Sequence, residues 1–511
     1  MKFILSGRIE ASSELDQLRE VVAEALKRAE ETVLRKGVPK GQEGAHVLSW
    51  SIEGRLIRVS IEGSRWVRAH VALKRLQKFL AEQLARYRVG VRRVYCDEYV
   101  IELPRPFNER IVENLHYYDK VKHVEVSDTG VKIVLHDLTE TELERGDIDR
   151  LVRLVTSPPR TIRDELAGKV GKVIAQSPPK KHYLEGNPTE LAEKLGWAVR
   201  FPGRAQWIYL PPMAALIRAI RDIFYEYVAK PLGFIEVLFP KLIPIEIAFR
   251  ARKLQGEPGG MYYVCVPRYR EKEKYIPFQI KAEITQELPM DELKKLLEEP
   301  SYILDPIQCL PFYQLYRGRV LRKEDLPIKV VECGGPTYRF EAGGARGLER
   351  VDEFWRMEHV WLGLPEQCIE IRNEVMKKVV EVVDKVLDLE WRIQFAGDTF
   401  FLAEDQRIDE DIQIPSDPKY ELQIYLPYRG PRDSTEKDVW LACASFNLAG
   451  NHYTKYFGIK CATGEVLWTG CCGIGLTRMA LAFIAQKGFD TSNWPEEVRK
   501  RVGEIKKLPG L

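Results

Sequence analysis

Apolar positions in the first 150 residues switch between a period of two and a period near 3.6, which predicts short strands interleaved with two clear helices. The opening MKFILSGRIE reads as a first strand. Ser13 followed by Asp16 has the form of a capping box, and a helical period then runs to Gly37. HVLSWSI and RLIRVSIEG flank a turn at Glu53-Gly54, the signature of a hairpin. A second helix is expected from about Trp66 to Tyr87, then strands near 91–103, 121–126 and 130–136. Strands with two long helices indicate an α+β domain with one sheet face covered. Residues 150–205 change character: LVTSPPRT, IAQSPPKKH and EGNPTE are broken by prolines and read as a connector. Beyond it the pattern gives a helix (213–230), several strands, a helix (365–390), more strands and a last helix (474–487). That order fits an antiparallel sheet flanked by helices. The expected division is a first domain at 1–160, a connector at 161–205 and a second domain at 206–511.

A chain of 511 residues is too long for a single core. Its 45% hydrophobic and 30% charged content describes a soluble globular protein. No run approaches the roughly 18 apolar residues of a spanning helix, so no membrane partner is expected. The N-terminus lacks the form of a secretory signal, which makes the cytoplasm the expected address. A net charge of +3 says little about partners. Locally the balance shifts: in RWVRAHVALKRLQKFLAEQLARYRVGVRR (65–93) Glu82 is the only acid. Arg75 and Lys78 lie one turn apart on one helix face, and Arg68 and Arg92 extend the patch, as a phosphate-contacting surface requires. The nine cysteines include no CxxC pair. That favours core thiols plus a metal site assembled from residues distant in sequence.

Three segments carry chemistry. In YRFEAGGARGLERVDEFWRMEHVWLG (338–363), two alternating strands enclose a glycine-rich loop. The alternation sends Arg339 and Glu341, and then Phe354, Arg356 and Glu358, to shared faces. Such a charged face is costly to bury without ligands. In GEVLWTGCCGIGLTRMALAFIAQKG (464–488), a strand is expected to end in a glycine-rich turn that opens a helix. Arg478 in its first turn makes a plausible phosphate site. GFIEVLFPKLIPIEI (233–247) places Pro240 at the end of a helix-to-strand stretch.

Taken in order, the three resemble the signature motifs of class II aminoacyl-tRNA synthetases: Gly233, Phe234 and Pro240; Arg339 and Glu341 with Arg350 and Phe354; and the Gly-x-Gly-Leu-x-Arg start ending at Arg478. RAQWIYLPP, FPKLIP, MYYVCVP, LPYRGP and LWTGCCGIGLTR narrow the resemblance to the methanogenic-type, zinc-dependent seryl-tRNA synthetases, over nearly the whole chain. The resemblance implies ATP-dependent activation of serine and its transfer to tRNA(Ser), by a homodimer formed through the Pro240 segment, with Mg²⁺ accompanying ATP. It implies one Zn²⁺ per subunit on Cys309, Glu358 and Cys471; three protein ligands leave a tetrahedral position open, as in working zinc sites. Arg339 is then expected at the α-phosphate, and Arg478 and Arg350 at the γ-phosphate. Phe354 is expected on the adenine, Glu341 beside its amino group or orienting Arg339, and Arg356, on the same strand face as Glu358, either behind a metal ligand or at the substrate carboxylate. Arg75, Lys78 and Arg92 are the expected tRNA contacts.

Two positions depart from the pattern. The family's Mg²⁺-binding Glu aligns with Ala442, and VWLACASFNLAG holds no acid; Glu436, Asp438 and Glu465 are the nearest substitutes. Phe400 and Glu404 stand where the substrate pocket is expected to carry Trp and Gln. These departures keep two alternatives open: a paralogue that binds tRNA without charging it, and a related ligase for another small amino acid.

Overall fold

The computed structural model describes every residue except 158–160, 162–165, 167, 341–343, 398–407, 435–438, 506–507 and 510–511. It divides into two compact units, Met1–Pro159 and Arg160–Leu511.

The first unit is a six-stranded antiparallel sheet. In chain order its strands are β1 (Lys2–Ala11), β2 (His46–Glu53), β3 (Leu56–Gly63), β4 (Val91–Pro104), β5 (Val121–Val126) and β6 (Gly130–Leu138). The spatial order is β2-β3-β1-β4-β6-β5. Strict alternation in β1 buries Phe3, Leu5 and Ile9 on one face, where helices α1 (Arg19–Glu31) and α2 (Ala69–Leu84) pack. Helix α2 buries Leu73, Leu76, Leu80 and Leu84 at the 3–4 spacing of an amphipathic helix. One expectation needs correction. Helix α1 starts at Arg19 after a single 3₁₀ turn and has no side-chain cap, so Ser13 and Asp16 form no capping box. A further helix, α3 (Asp147–Thr156), lies within the span expected for the first domain, and Leu151, Val152 and Val155 seat it in the core.

The second unit is built on an eight-stranded sheet. Its strands are β7 (Val173–Gln176), β8 (Ile235–Glu236), β9 (Ile328–Tyr338), β10 (Glu353–Gly363), β11 (Trp391–Phe395), β12 (Lys419–Tyr425), β13 (Trp440–Gly450) and β14 (Trp468–Gly475). The order across the sheet is β8-β9-β10-β14-β13-β12-β11-β7; β8 runs parallel to β9, and all other pairs are antiparallel. The edge strand β7 comes from the proline-broken stretch, which therefore contributes to the sheet as well as linking to it.

Alternation divides the two faces. Met357 and Trp361 of β10, Cys472 and Ile474 of β14, Phe446 and Leu448 of β13, and Leu422 and Ile424 of β12 join one core. That core is closed by α4 (Pro211–Phe224), α5 (Pro365–Glu381) and α6 (Leu476–Lys487). Helices α4 and α5 each widen into a π turn at their ends, at Tyr225–Ala229 and Val382–Val386. The intervening residues of the same strands, among them Arg356, Glu358, Cys471 and Gly473, face the other way. They form the polar face that the site occupies.

Two segments near the site differ from expectation. Strand β9 ends at Tyr338, so Arg339 lies just past it, held by one more ladder bond from its N–H to the Asp352 carbonyl at 2.9 Å. The TGCCGIG stretch is strand throughout, not a turn, and α6 begins directly after Gly475. The glycines serve packing: a Cβ at Gly470 would stand 2.4 Å from the Trp361 ring, and one at Gly473 only 2.7 Å from Glu358 Oε2. Among the described residues no helix is long and apolar enough to cross a membrane.

Candidate active site and metal centre

Strand pairing brings together residues far apart in sequence. Glu358 on β10 lies opposite Gly473 on β14, and Val360 opposite Cys471. Cys309 arrives from a different direction, on the residue before the short helix Leu310–Leu315. The two thiols and the Glu358 carboxylate place their ligand atoms within 4.8 Å of one another, and all three residues are buried. This is the one such group of three among the described residues. Cys472 points into the helix-side core, as does Cys443, while Cys461 packs beside Thr463.

Electrostatically the cluster is under stress. Burial pushes the Glu358 carboxyl up to about 7, although the Arg356 guanidinium beside it pulls the other way. Burial, the Cys309 thiol and the Glu358 carboxylate drive the Cys471 thiol well above its ordinary value. Glu358 Oε2 is buried and has no hydrogen bond besides its 3.1 Å ion pair with Arg356 Nε. Three acids crowded around an unused lone pair suit a divalent cation that replaces their protons. Two sulfurs and one oxygen match zinc's ligand preferences, and the missing Cβ of Gly473 leaves room beside Oε2.

Arg356 borders this cluster. Its Nε lies 3.1 Å from Glu358 Oε2 and donates to Gln308 Oε1 at 2.9 Å. Its Nη2 is buried without a partner. A buried guanidinium nitrogen with no acceptor is costly, and an anionic group in the pocket would relieve it. On β13, Asn447 lies opposite Cys471. Its Nδ2 is 3.6 Å from the Cys471 sulfur and 3.0 Å from Ser445 Oγ, and its Oδ1 is buried and unpartnered. Sequence reasoning missed Asn447, since SFNLAG reads as ordinary strand.

The expected nucleotide residues fall nearby. Arg339 Nη2 stands 3.9 Å from Glu257, whose carboxylate also holds the buried Lys253 ammonium at 2.6 Å. Arg478 sits in the first turn of α6 with Nη1 3.4 Å from the Ala442 carbonyl. Arg350 closes a small turn paired with Arg346, and its neighbour Glu349 is clamped by Arg346, Arg429 and Tyr428. Phe354 is on the polar face but only 8% exposed, so a limited part of its ring is open to a base. Ala442 pairs with Gln423; two residues away, Glu421 lies on the polar face in an ion pair with Lys419 at 2.8 Å. Glu465 is bound to Lys323 instead. Glu341, Phe400, Glu404, Glu436 and Asp438 lie outside the described residues.

In the first unit, Lys78 and Arg92 are exposed. Arg75 is partly buried, its Nη1 donating to the carbonyls of Val33 (3.1 Å) and Lys36 (2.8 Å), and Arg68 is paired with Asp149.

Comparison with known proteins converges on one family. Residues 1–157 match a tRNA-binding domain, and residues 294–487 match the class II tRNA synthetase core domain of the G, H, P, S and T enzymes. The type-2 serine--tRNA ligase of Methanopyrus kandleri is 41% identical over 100% of this chain and 98% of its own length. That of Methanothermobacter thermautotrophicus is also 41% identical, over 98% and 97%. The chain belongs to the type-2 serine--tRNA ligase family. A crystal structure of A. aeolicus tRNASec in complex with M. kandleri SerRS superposes with a TM-score of 0.84 at 40% identity, covering 100% of this chain and 98% of that one. A cytoplasmic serine-tRNA ligase from Naegleria fowleri, 14% identical with a TM-score of 0.52 over 72% of each chain, shares the fold. The second unit thus carries a class II synthetase core.

Proposed function

We propose that the chain activates serine with ATP on the polar face of the second unit and transfers it to the 3′-hydroxyl of tRNA(Ser). The observation that carries this reading is the buried Cys309–Glu358–Cys471 cluster beside an Arg356 nitrogen that lacks a partner. Cys309, Glu358 and Cys471 would hold Zn²⁺, which would supply a Lewis acid to anchor the serine amino group. Arg356 Nη2 receives the serine carboxylate, and Asn447 Oδ1 remains free to accept a hydrogen bond. A site built from such groups rejects analogues that leave them unpaired.

Adenylate formation is an in-line attack of the serine carboxylate on the α-phosphorus, with pyrophosphate leaving. Positioning and charge stabilisation supply the catalysis. Arg339 leaves Glu257 for the α-phosphate, Arg478 and Arg350 hold the β- and γ-phosphates, and Phe354 offers its open edge to adenine. Mg²⁺ would accompany ATP, and Glu421, two residues along β12 from the partner of Ala442, would be a carboxylate to hold it. The segment before Pro240 exposes Ile235 (68%) and Leu238 (88%), apolar surface that a second copy of the chain would cover in a homodimer. The protein works in the cytoplasm.

tRNA binding is assigned to the first unit through Lys78, Arg92 and the remaining donors of Arg75. Charging assays on the Lys78→Ala/Arg92→Ala double variant test this. The expected result is a roughly tenfold or greater rise in KM for tRNA, a shallower salt dependence, and unchanged serine-dependent ATP–pyrophosphate exchange. An unchanged KM for tRNA would remove these residues from the interface.

A further inference from the structure

A polar chain, buried except at Lys241, runs from the segment after Pro240 to Arg356 on the polar face. Lys241 Nζ lies 2.5 Å from Glu332 Oε2 and 3.4 Å from Asp305 Oδ2. Glu332 Oε2 also accepts from Gln308 Nε2 at 2.6 Å. The other amide atom of Gln308, Oε1, accepts from Arg356 Nε at 2.9 Å, and Nε2 donates again, to the Arg356 carbonyl, at 3.1 Å. Gln308 is fully buried and adopts φ +56°, a left-handed conformation rare for a side chain of its kind. Asp305 Oδ1 holds it there by accepting from its backbone N–H at 2.8 Å and from that of Ile307 at 3.2 Å.

Strain at a non-glycine residue persists only where its surroundings enforce it. Here they enforce one amide orientation. Oε1 must face the guanidinium, because Nε2 faces a carboxylate whose charge Lys241 balances. Arg356 is therefore gripped at Nε and at its backbone carbonyl, while Nη2 is left without a protein partner. Nε is held between Gln308 Oε1 and Glu358 Oε2, the latter at 3.1 Å, which restricts the orientations open to the planar guanidinium and so to Nη2.

We infer that Gln308 is a positioning residue for substrate recognition: with Glu332 and Lys241 behind it, it sets the direction in which Arg356 presents Nη2 to the amino-acid carboxylate. This rests on the reading of Arg356 given above. Its neighbour Cys309 belongs to the metal cluster, so the test must separate aim from metal binding.

The experiment measures KM for serine and for ATP in pyrophosphate exchange, together with metal content, for Gln308→Met, Gln308→Glu, the Gln308→Glu/Glu332→Gln pair and Arg356→Ala. Methionine keeps the length and removes both hydrogen bonds. The expected result is a tenfold or greater rise in serine KM, with ATP KM and metal content unchanged. Glutamate sets a carboxylate against Glu332 and raises serine KM further. Adding Glu332→Gln restores a donor–acceptor pair and returns serine KM toward the wild-type value, a rescue that a merely structural role would not produce. Serine KM unmoved by Gln308→Met while Arg356→Ala raises it overturns the inference. So does joint loss of turnover and metal in the single variants with no rescue in the pair. Serine KM unmoved by Arg356→Ala overturns the reading of Arg356 itself, and the inference with it.

Discussion

Cys471→Ser is expected to abolish metal binding and serine activation together, leaving a folded chain. Cys471 lies on the central strand β14, opposite Val360 on one side and Asn447 on the other, so its backbone is fixed by ladder bonds on both flanks. Serine is smaller than cysteine, adds no strain and keeps the ladder. What disappears is a thiolate: a serine hydroxyl holds its proton at neutral pH, and two ligands remain where three converged. Loss of an outer partner of a metal ligand costs roughly 10–100-fold in affinity, and loss of a ligand itself exceeds that. Elemental analysis of the purified variant should find no stoichiometric zinc, and pyrophosphate exchange should show no response to serine. Far-UV circular dichroism and a single cooperative melt should report an intact fold. A full metal complement in Cys471→Ser would remove it from the ligand set.

Arg339→Ala is the second large effect, and it falls on turnover. The side chain is 41% exposed and its ion-pair partner Glu257 is 3.9 Å away, so little folding stability depends on that pair. In the proposed reading its value lies in the charge that gathers on the α-phosphate during attack. Removing one preorganised donor at such a position costs on the order of 10²–10³-fold in kcat. Serine KM and metal content should change little. Glu257 has a secondary part: it holds Arg339 together with Lys253. A fall in kcat of less than about threefold would mean that Arg339 does not contact the reacting phosphate.

Much of this was legible in the residues before any coordinates, but unevenly. The strands of the first unit follow the apolar alternation closely, because one sheet face is buried and period two is then enforced. The TGCCGIG stretch misled for the opposite reason. Glycine marks turns when its backbone freedom matters, but here it marks close packing of Trp361 and Glu358 against a strand, which no local pattern reveals. The strand carrying Arg339 is expected from its alternation to run on through Phe340 toward Glu341, yet it ends at Tyr338 with a single further ladder bond at Arg339. Cys309, Glu358 and Cys471 were named through the family resemblance, since no spacing rule links residues that meet only when β10, β14 and a separate loop converge. Gln308, Glu332 and Lys241 could not be found that way at all. Lys241 falls in the quoted Pro240 segment and Gln308 beside Cys309, but their relation to Glu332 and Arg356 exists only in the folded network.

The central claim is that this face activates serine and uses a metal to recognise it. The most direct measurement is amino-acid-dependent ATP–pyrophosphate exchange, run across all amino acids with and without a zinc chelator, and repeated after zinc is restored. The account predicts exchange with serine alone, abolished by the chelator and recovered on adding Zn²⁺. Exchange with no amino acid in zinc-replete protein, or serine exchange that persists after the metal has been stripped, would contradict it.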